Sequence, residues 1–286
     1  MTLPPETMSE EPELIKCSHE EYDDIEALRS TEFKTFDESP QKYCDMCKTK
    51  QQKKPPTRPM DLGTILHHFI LDGVKDYEVW TEKKVGNEWK AFKADCDSRG
   101  VTILQKYGKT DEVHHLEMQI QAVTRNKKAV ELFEQTAVRE QTIVWNNHGV
   151  KSKARLDMWT ESGPIADLKT SRDPDPRKFF NQMVDLGYHI SAVWYEMARD
   201  AVWQNTYEHP FYWIVVSNSP WYHCRVFEID TPVREAAHRR IKEKMVHFRH
   251  CQKHDDWTDH TLNKSEVLFA TEWFLRQNDD PYLVTN

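Results

Sequence analysis

KSKARLDMWTESGPIADLKT, residues 151–170, is the stretch that decides how this chain is read. Residues 151–160 and 165–170 alternate or are rich in β-formers, and Glu161-Ser162-Gly163-Pro164 between them is turn chemistry. Side chains alternate faces along a strand. Asp167 and Lys169 should therefore share one face, with Ala166, Leu168 and Thr170 on the other. Likewise Arg155, Asp157 and Trp159 should lie opposite Ala154, Leu156 and Met158. The turn can bring Asp157 beside Asp167, placing two carboxylates and an ammonium in an otherwise apolar sheet. Buried like charges are unfavourable unless neutralised. A divalent cation neutralises them; hard oxygen ligands suit Mg²⁺ or Mn²⁺, and the Leu168 carbonyl could add another ligand. The plainer alternative is that Asp-x-Lys marks a solvated strand face.

Working outward, residues 139–145 are also strand-like and are joined to 151–160 by Asn146-Asn147-His148-Gly149, which predicts a three-stranded antiparallel meander. Glu140 begins that first strand, where it could reach the same centre or simply lie at the surface. Upstream, Leu62, Ile65, Leu66, Phe69 and Ile70 form one apolar helical stripe, with Asp61 as N-cap and Gly73 at the end. His67 stands beside that stripe and should project over the turn of Gly63, where the missing side chain leaves room for an ion or a phosphate. A satisfied rim histidine is the alternative. Helical periodicity recurs over 111–135 and 176–199, strands are expected at 211–217 and 223–229, and Thr231-Pro232 should open a last helix. The order predicts one mixed α/β domain with helical flanks.

Residues 1–20 are acidic and proline-rich and read as a disordered leader before a single domain over 21–286, while residues 48–59 read as an extended basic loop. The 286 residues hold 39 basic and 47 acidic side chains, a net charge of −8, and only 8 glycines. No two glycines lie two apart, so there is neither a G-x-G-x-x-G fingerprint nor a G-x-S-x-G elbow, and no G-x-x-x-x-G-K-[ST] loop exists. No apolar run approaches the ~18 residues of a membrane span, which predicts a cytoplasmic protein with reduced cysteines. Cys44 and Cys47 have metal-like spacing but lack a second pair, and His247, His250, Cys251, His254 and His260 offer a zinc-module alternative. Basic clusters at Lys151, Lys153, Arg155 and at Arg172, Arg177, Lys178 flank the proposed centre and suggest a nucleic-acid track despite the net charge. A further cluster, Arg234 to Lys244, is interrupted by Glu235 and Glu243 and reads as a solvated helix face.

Together, Asp157 and Asp167-Leu168-Lys169 resemble the bipartite motif of the PD-(D/E)XK nuclease superfamily, and Gly63-Thr64-Ile65-Leu66-His67 resembles the G-T-x-x-H helix of its RecB-like branch. Ser39-Pro40, Tyr43, Glu140, the run 153–157, Asp167 to Thr170 and Gly187-Tyr188-His189 follow the order of the exodeoxyribonuclease VIII (RecE) nuclease domain. The likeness spans roughly residues 30–240. It implies a restriction-endonuclease-like core, a central mixed β-sheet flanked by helices. It also implies a 5′–3′ exodeoxyribonuclease on linear double-stranded DNA, acting in recombination or repair. Asp157, Asp167, Lys169 and Glu140 would be catalytic, and Mg²⁺ or Mn²⁺ would sit on His67, Asp157, Asp167 and Leu168. Lys153, Arg155, Arg172, Lys178, Ser191 and Tyr195 would face DNA. Duplex ends, a single-strand annealing protein and a homo-oligomeric ring are the implied partners. The chain departs from the family at Ser191, where glutamine is usual four residues before Tyr195. A catalytically impaired DNA-binding or protein-interaction subunit is the alternative reading.

Overall fold

A hairpin turn does form at residues 146–149: His148 and Gly149 adopt φ of 50° and 83°, and the Gly149 N–H donates to Asn146 Oδ1 over 2.7 Å. Positive φ at both central positions gives the turn the twist of its flanking strands. The computed structural model describes residues 11–49, 57–160, 162–203 and 209–259. In chain order the elements begin with β1 (Glu13–Ile15), α1 (His19–Asp24), β2 (Leu28–Arg29), α2 (Ser30–Glu38) and α3 (Pro40–Tyr43), which runs into a π-helical turn at Cys44–Lys48. There follow α4 (Arg58–Asp72), β3 (Tyr77–Trp80), α5 (Gly86–Arg99), β4 (Thr102–Tyr107), β5 (Thr110–Asp111), α6 (Glu112–Thr124) and α7 (Lys127–Glu134). The meander is β6 (Thr136–Asn147), β7 (Val150–Thr160) and β8 (Ile165–Ser171). Then come α8 (Pro176–Asp185), α9 (Tyr188–Trp203), β9 (Phe211–Ser217), β10 (Cys224–Glu228) and α10 (Thr231–His254).

The main sheet has seven strands, in the order β1-β6-β7-β8-β9-β10, with β2 added in parallel to β7. β6, β7 and β8 are antiparallel as expected, and β8 and β9 run parallel from Ile165↔Phe211 to Ser171↔Ser217. A parallel neighbour requires a crossover, which α8 and α9 supply. Helices cover both faces. Phe33, Leu156, Phe179, Trp194, Trp213 and Ile241 belong to one core, and Leu66, Leu116, Leu132, Leu168 and Ile214 to the other. This mixed sheet between helical layers is the restriction-endonuclease-like arrangement. β3, β4 and β5 form a separate three-stranded sheet over residues for which no element was expected.

Several boundaries differ from the sequence reading. Residues 11–20 are not a leader: β1 pairs with β6, and Ser18 caps α1 with a capping box to Glu21. α4 starts at Arg58 rather than Asp61, because Pro59 pre-sets the first turn. That removes residues 58 and 59 from the expected basic loop, of which residues 50–56 lie outside the described set. The long helices expected over 111–135 and 176–199 each break in two. Asn126 caps α7 by accepting the Ala129 N–H, and Gly187, at φ 62°, turns the chain between α8 and α9. Asp230, not Thr231, is the N-cap residue of α10, with Pro232 in its first turn.

Candidate active site

The β7–β8 ladder has two pairs, Met158↔Ala166 and Trp159↔Ile165. Beyond them the strands part, in continuing register, at Asp157 and Asp167. The freed Leu168 N–H donates to Asp157 Oδ2 over 3.1 Å. Lys169 Nζ lies 2.5 Å from Asp167 Oδ2, and Asp167 is only 2% exposed. On β6, Arg139 and Gln141 pair with Met158 and Leu156, so Glu140 stands across from Asp157. Glu140 has φ 52°, a conformation a strand residue rarely takes. The strict face alternation expected along β7 fails at this point. Ala154 and Leu156 pack into one core and Met158 into the other, while Trp159 returns to the first. The irregularity leaves Asp157 at the point where the two faces exchange.

His67 reaches the same place from α4, its Nδ1 3.5 Å from Asp157 Oδ2, and its ring also interacts with the Leu168 backbone. A Cβ placed on Gly63 would meet nothing within 4 Å, so the space expected there is open. Burial, with the charge of Lys169 added, pushes the His67 imidazole down to about 4, leaving it neutral with a lone pair to offer. Burial pushes Asp157 and Asp167 up to about 6; Lys169 draws both back, while Glu140 raises Asp157 and Asp157 raises Asp167. Burial opposes the charge of Lys169, but Asp167 and Asp157 more than offset it and hold the group above its ordinary value. Lys169 is therefore an ammonium at neutral pH, able to donate hydrogen bonds but not to abstract a proton.

Two carboxylates, Asp167 buried and Asp157 partly so, with a neutral imidazole and a strand carbonyl, make a donor set suited to a hard divalent cation. Among the described residues no three His, Cys, Asp or Glu side chains are grouped to hold a metal ion as they stand. In this structure the cation beside Asp167 is Lys169.

A family model described as a PDDEXK-like domain of unknown function (DUF3799) matches residues 30–267. The chain belongs to this PDDEXK-like family. Among solved structures, a "Putative exonuclease" from Eubacterium rectale is similar with a TM-score of 0.60 at 14% identity, over 93% of this chain and 99% of its own. A phage-related exonuclease from Haemophilus somnus 129PT gives a TM-score of 0.31 at 11% identity, over 80% of this chain and 96% of its own. No curated protein matches. At these identities the first likeness speaks for the fold.

Within this PDDEXK-like domain the residues expected to face DNA separate into groups. Lys153 does not face a ligand. It is 2% exposed, and its Nζ donates to the carbonyls of Tyr22 (2.7 Å), Asp23 (3.3 Å) and Ile25 (2.8 Å) at the end of α1. Its expected DNA role is replaced by a structural one, because a buried ammonium needs such partners. Arg155 pairs through Nε with Glu140 Oε2, and its buried Nη1 has no hydrogen-bond partner. Ser191 is 8% exposed with its Oγ 3.4 Å from Ser30 Oγ, so it too is enclosed rather than at a DNA surface. Tyr195 lies near the carboxylates and hydrogen-bonds Ser30; burial, then Asp167 and Asp157, hold its phenol well above the ordinary range. Arg172 and Lys178 are exposed beside the end of β8, Lys178 paired with Asp173 at 2.6 Å.

The other metal alternatives do not assemble among the described residues. His247 packs on Phe36, His250 on His254, and Cys251 is buried, while His260 lies outside the described set. All six cysteines are free. The last basic cluster is tied into ion pairs: Arg240 and Lys244 reach Asp37, and Arg234 reaches Glu196.

Sequence reasoning missed Gln182, and it named Tyr188 only within Gly187-Tyr188-His189, with no place beside Lys169. Gln182 donates to the Thr170 carbonyl (3.1 Å) and accepts from Ser171 Oγ (2.6 Å), and the Tyr188 ring stands 5.4 Å from Lys169 Nζ. For Gln182 the nearest signal was Gly187, a glycine inside a helical pattern, which marks a break.

Proposed function

We propose that this chain is a metal-dependent nuclease that hydrolyses phosphodiester bonds, and more narrowly a 5′–3′ exodeoxyribonuclease on the ends of linear double-stranded DNA. The observation that carries the reading is the meeting of Asp157, Asp167, Lys169 and His67 where β7 and β8 part. Mg²⁺ or Mn²⁺ held by Asp157, Asp167, His67 and the Leu168 carbonyl would supply a water of lowered pKa and neutralise charge growing on the phosphate. The side chains do the rest. Lys169 donates to a phosphate oxygen or to the attacking water, and the Tyr188 ring limits where its ammonium can go. Asp157 keeps its orientation through the Leu168 N–H. Glu140, held by Arg155, faces Asp157 and can accept from a water there. Arg172 and Lys178, exposed beyond the end of β8, would contact the DNA backbone.

The end specificity, the 5′–3′ polarity and a role in recombination or repair follow from the RecE resemblance and belong to the proposal. So do a single-strand annealing partner, a ring of copies and a cytoplasmic setting; no described helix is long and apolar enough to cross a membrane. The test is digestion of linear and closed circular duplex DNA with Mg²⁺ or Mn²⁺, with Asp167→Ala and Lys169→Ala as controls. Loss of linear DNA alone, abolished by Asp167→Ala and reduced about 10²-fold or more by Lys169→Ala, is the expected result. Cleavage retained in the pure Asp167→Ala protein would overturn the assignment, and no cleavage of either substrate would favour a binding subunit.

A further inference from the structure

One residue outside the expected set stands at the rim of this centre. Lys34, on α2, runs its stem across the turn between α8 and α9: a Cβ on Gly187 would lie 2.7 Å from Lys34 Cδ. Its Nζ donates to the Leu186 carbonyl over 3.1 Å. The next residue but one, Tyr188, presents its ring to Lys169 at 5.4 Å. Two ammonium groups thus flank a single turn, Lys34 against its start and Lys169 against its end. The charges of Lys169, Asp167 and Glu38 all act on Lys34. Burial, then repulsion by Lys169, push it down to about 8, so an arriving anion would relieve an existing strain on its charge.

From the placement of these two lysines we propose that Lys34 is a substrate-binding cation that holds a backbone phosphate of the DNA strand next to the one presented to Lys169. This rests on the nuclease reading and adds a substrate contact to it. The chemistry fits a repeating phosphodiester: Lys169 takes one phosphate, and Lys34 reads the charge of the next without regard to base. The close approach at Gly187 keeps the Lys34 stem on this path, since any side chain at residue 187 would displace it.

The test is equilibrium binding of a short linear duplex at several salt concentrations, in the uncleaving Asp167→Ala background. Lys34→Gln can still donate to the Leu186 carbonyl but has lost the charge. It should bind about tenfold more weakly at low salt, with the slope of log K against log salt shallower by about 0.9, one phosphate contact. Lys34→Arg should restore both. Neutralising Lys93, an exposed lysine of α5 that pairs with Asp97, should leave the slope where it was. If Lys34→Gln does not fold, Lys34→Met serves in its place. A lowered melting temperature with an unchanged salt slope would overturn the proposal and make Lys34 a helix-end clamp only. Failure of the nuclease reading is separate: there the parent protein cleaves no DNA, whatever the state of Lys34.

Discussion

The Leu168 N–H donates to Asp157 Oδ2 over 3.1 Å, so the backbone of the strand that carries Asp167 fixes the carboxylate of its neighbour. One hydrogen bond thereby sets the spacing of both acids. Asp157→Ala should lose cleavage and also about 1–3 kcal/mol of stability, because the Leu168 N–H is left without an acceptor in a buried place. Asp157→Asn keeps an acceptor and should lose cleavage with little loss of stability. Denaturant melts beside nuclease assays separate the two effects; equal stability of both variants would contradict this role for Asp157.

Asp157 and Asp167 are pushed up from 3.8 to about 6, so the folded protein binds protons more tightly than the unfolded chain between those values. Their contribution to stability is therefore greatest at low pH and is lost as pH rises from 3.8 to about 6. A divalent cation binds the deprotonated pair, so Mg²⁺ or Mn²⁺ should raise the melting temperature clearly at about pH 8 and hardly at about pH 4. Equal shifts at both, or loss of the effect by chelation at neither, would place the ion elsewhere.

Lys153 is expected to act on stability and not on DNA. Its ammonium serves three carbonyls at the end of α1, and Lys153→Met should lower stability by about 2–3 kcal/mol. The salt dependence of DNA binding should match that of the parent at temperatures where both are folded; a shallower slope would restore Lys153 to the DNA track.

Glu196 on α9 is 3% exposed and meets Arg234 Nε through both oxygens, at 3.1 and 3.2 Å. Burial pushes the Glu196 carboxyl up to about 7, with Arg234 and Arg199 drawing it back. Glu196→Ala strands charge in the interface of α9 and α10, and a loss of about 3 kcal/mol is expected. Thermal unfolding would show it, and a change within the noise would mean that water reaches the pair.

The parts of the fold that were legible are those with a strong local pattern. β7, β8 and β9 were expected to within a residue, because turn chemistry and alternation agree there, while β6 extends beyond the expected residues 139–145 at both ends. The carboxylates followed, since a tight turn over residues 161–164 can bring Asp157 beside Asp167. Periodicity says nothing about a break that keeps the same apolar stripe on both sides, so α6–α7 and α8–α9 each read as one helix. Composition misled at residues 11–20, where Glu13, Leu14 and Ile15 gain their order from pairing with β6 and not from burial. Lys153 was misplaced for a similar reason: a lysine in a basic cluster looks solvated until the carbonyls that enclose it, more than a hundred residues earlier in the chain, are brought to it. The irregularity at Glu140 and Asp157 has no signature in a single sequence.

That first strand has a consequence of its own. β1 covers β6 through Thr142, Ile143 and Val144, and the Gln141 Nε2–Ile15 carbonyl bond (3.0 Å) and the Cys17 Sγ–Thr142 Oγ1 contact (3.3 Å) fasten it. It is short and carries Glu13 outward, the two traits by which a sheet discourages further strands from adding to its rim. A preparation trimmed past Ile15 would uncover Thr142, Ile143 and Val144 on the flank of β6 and invite copies to join edge to edge there. Three residues that read as disordered leader in the sequence thus guard one rim of the sheet.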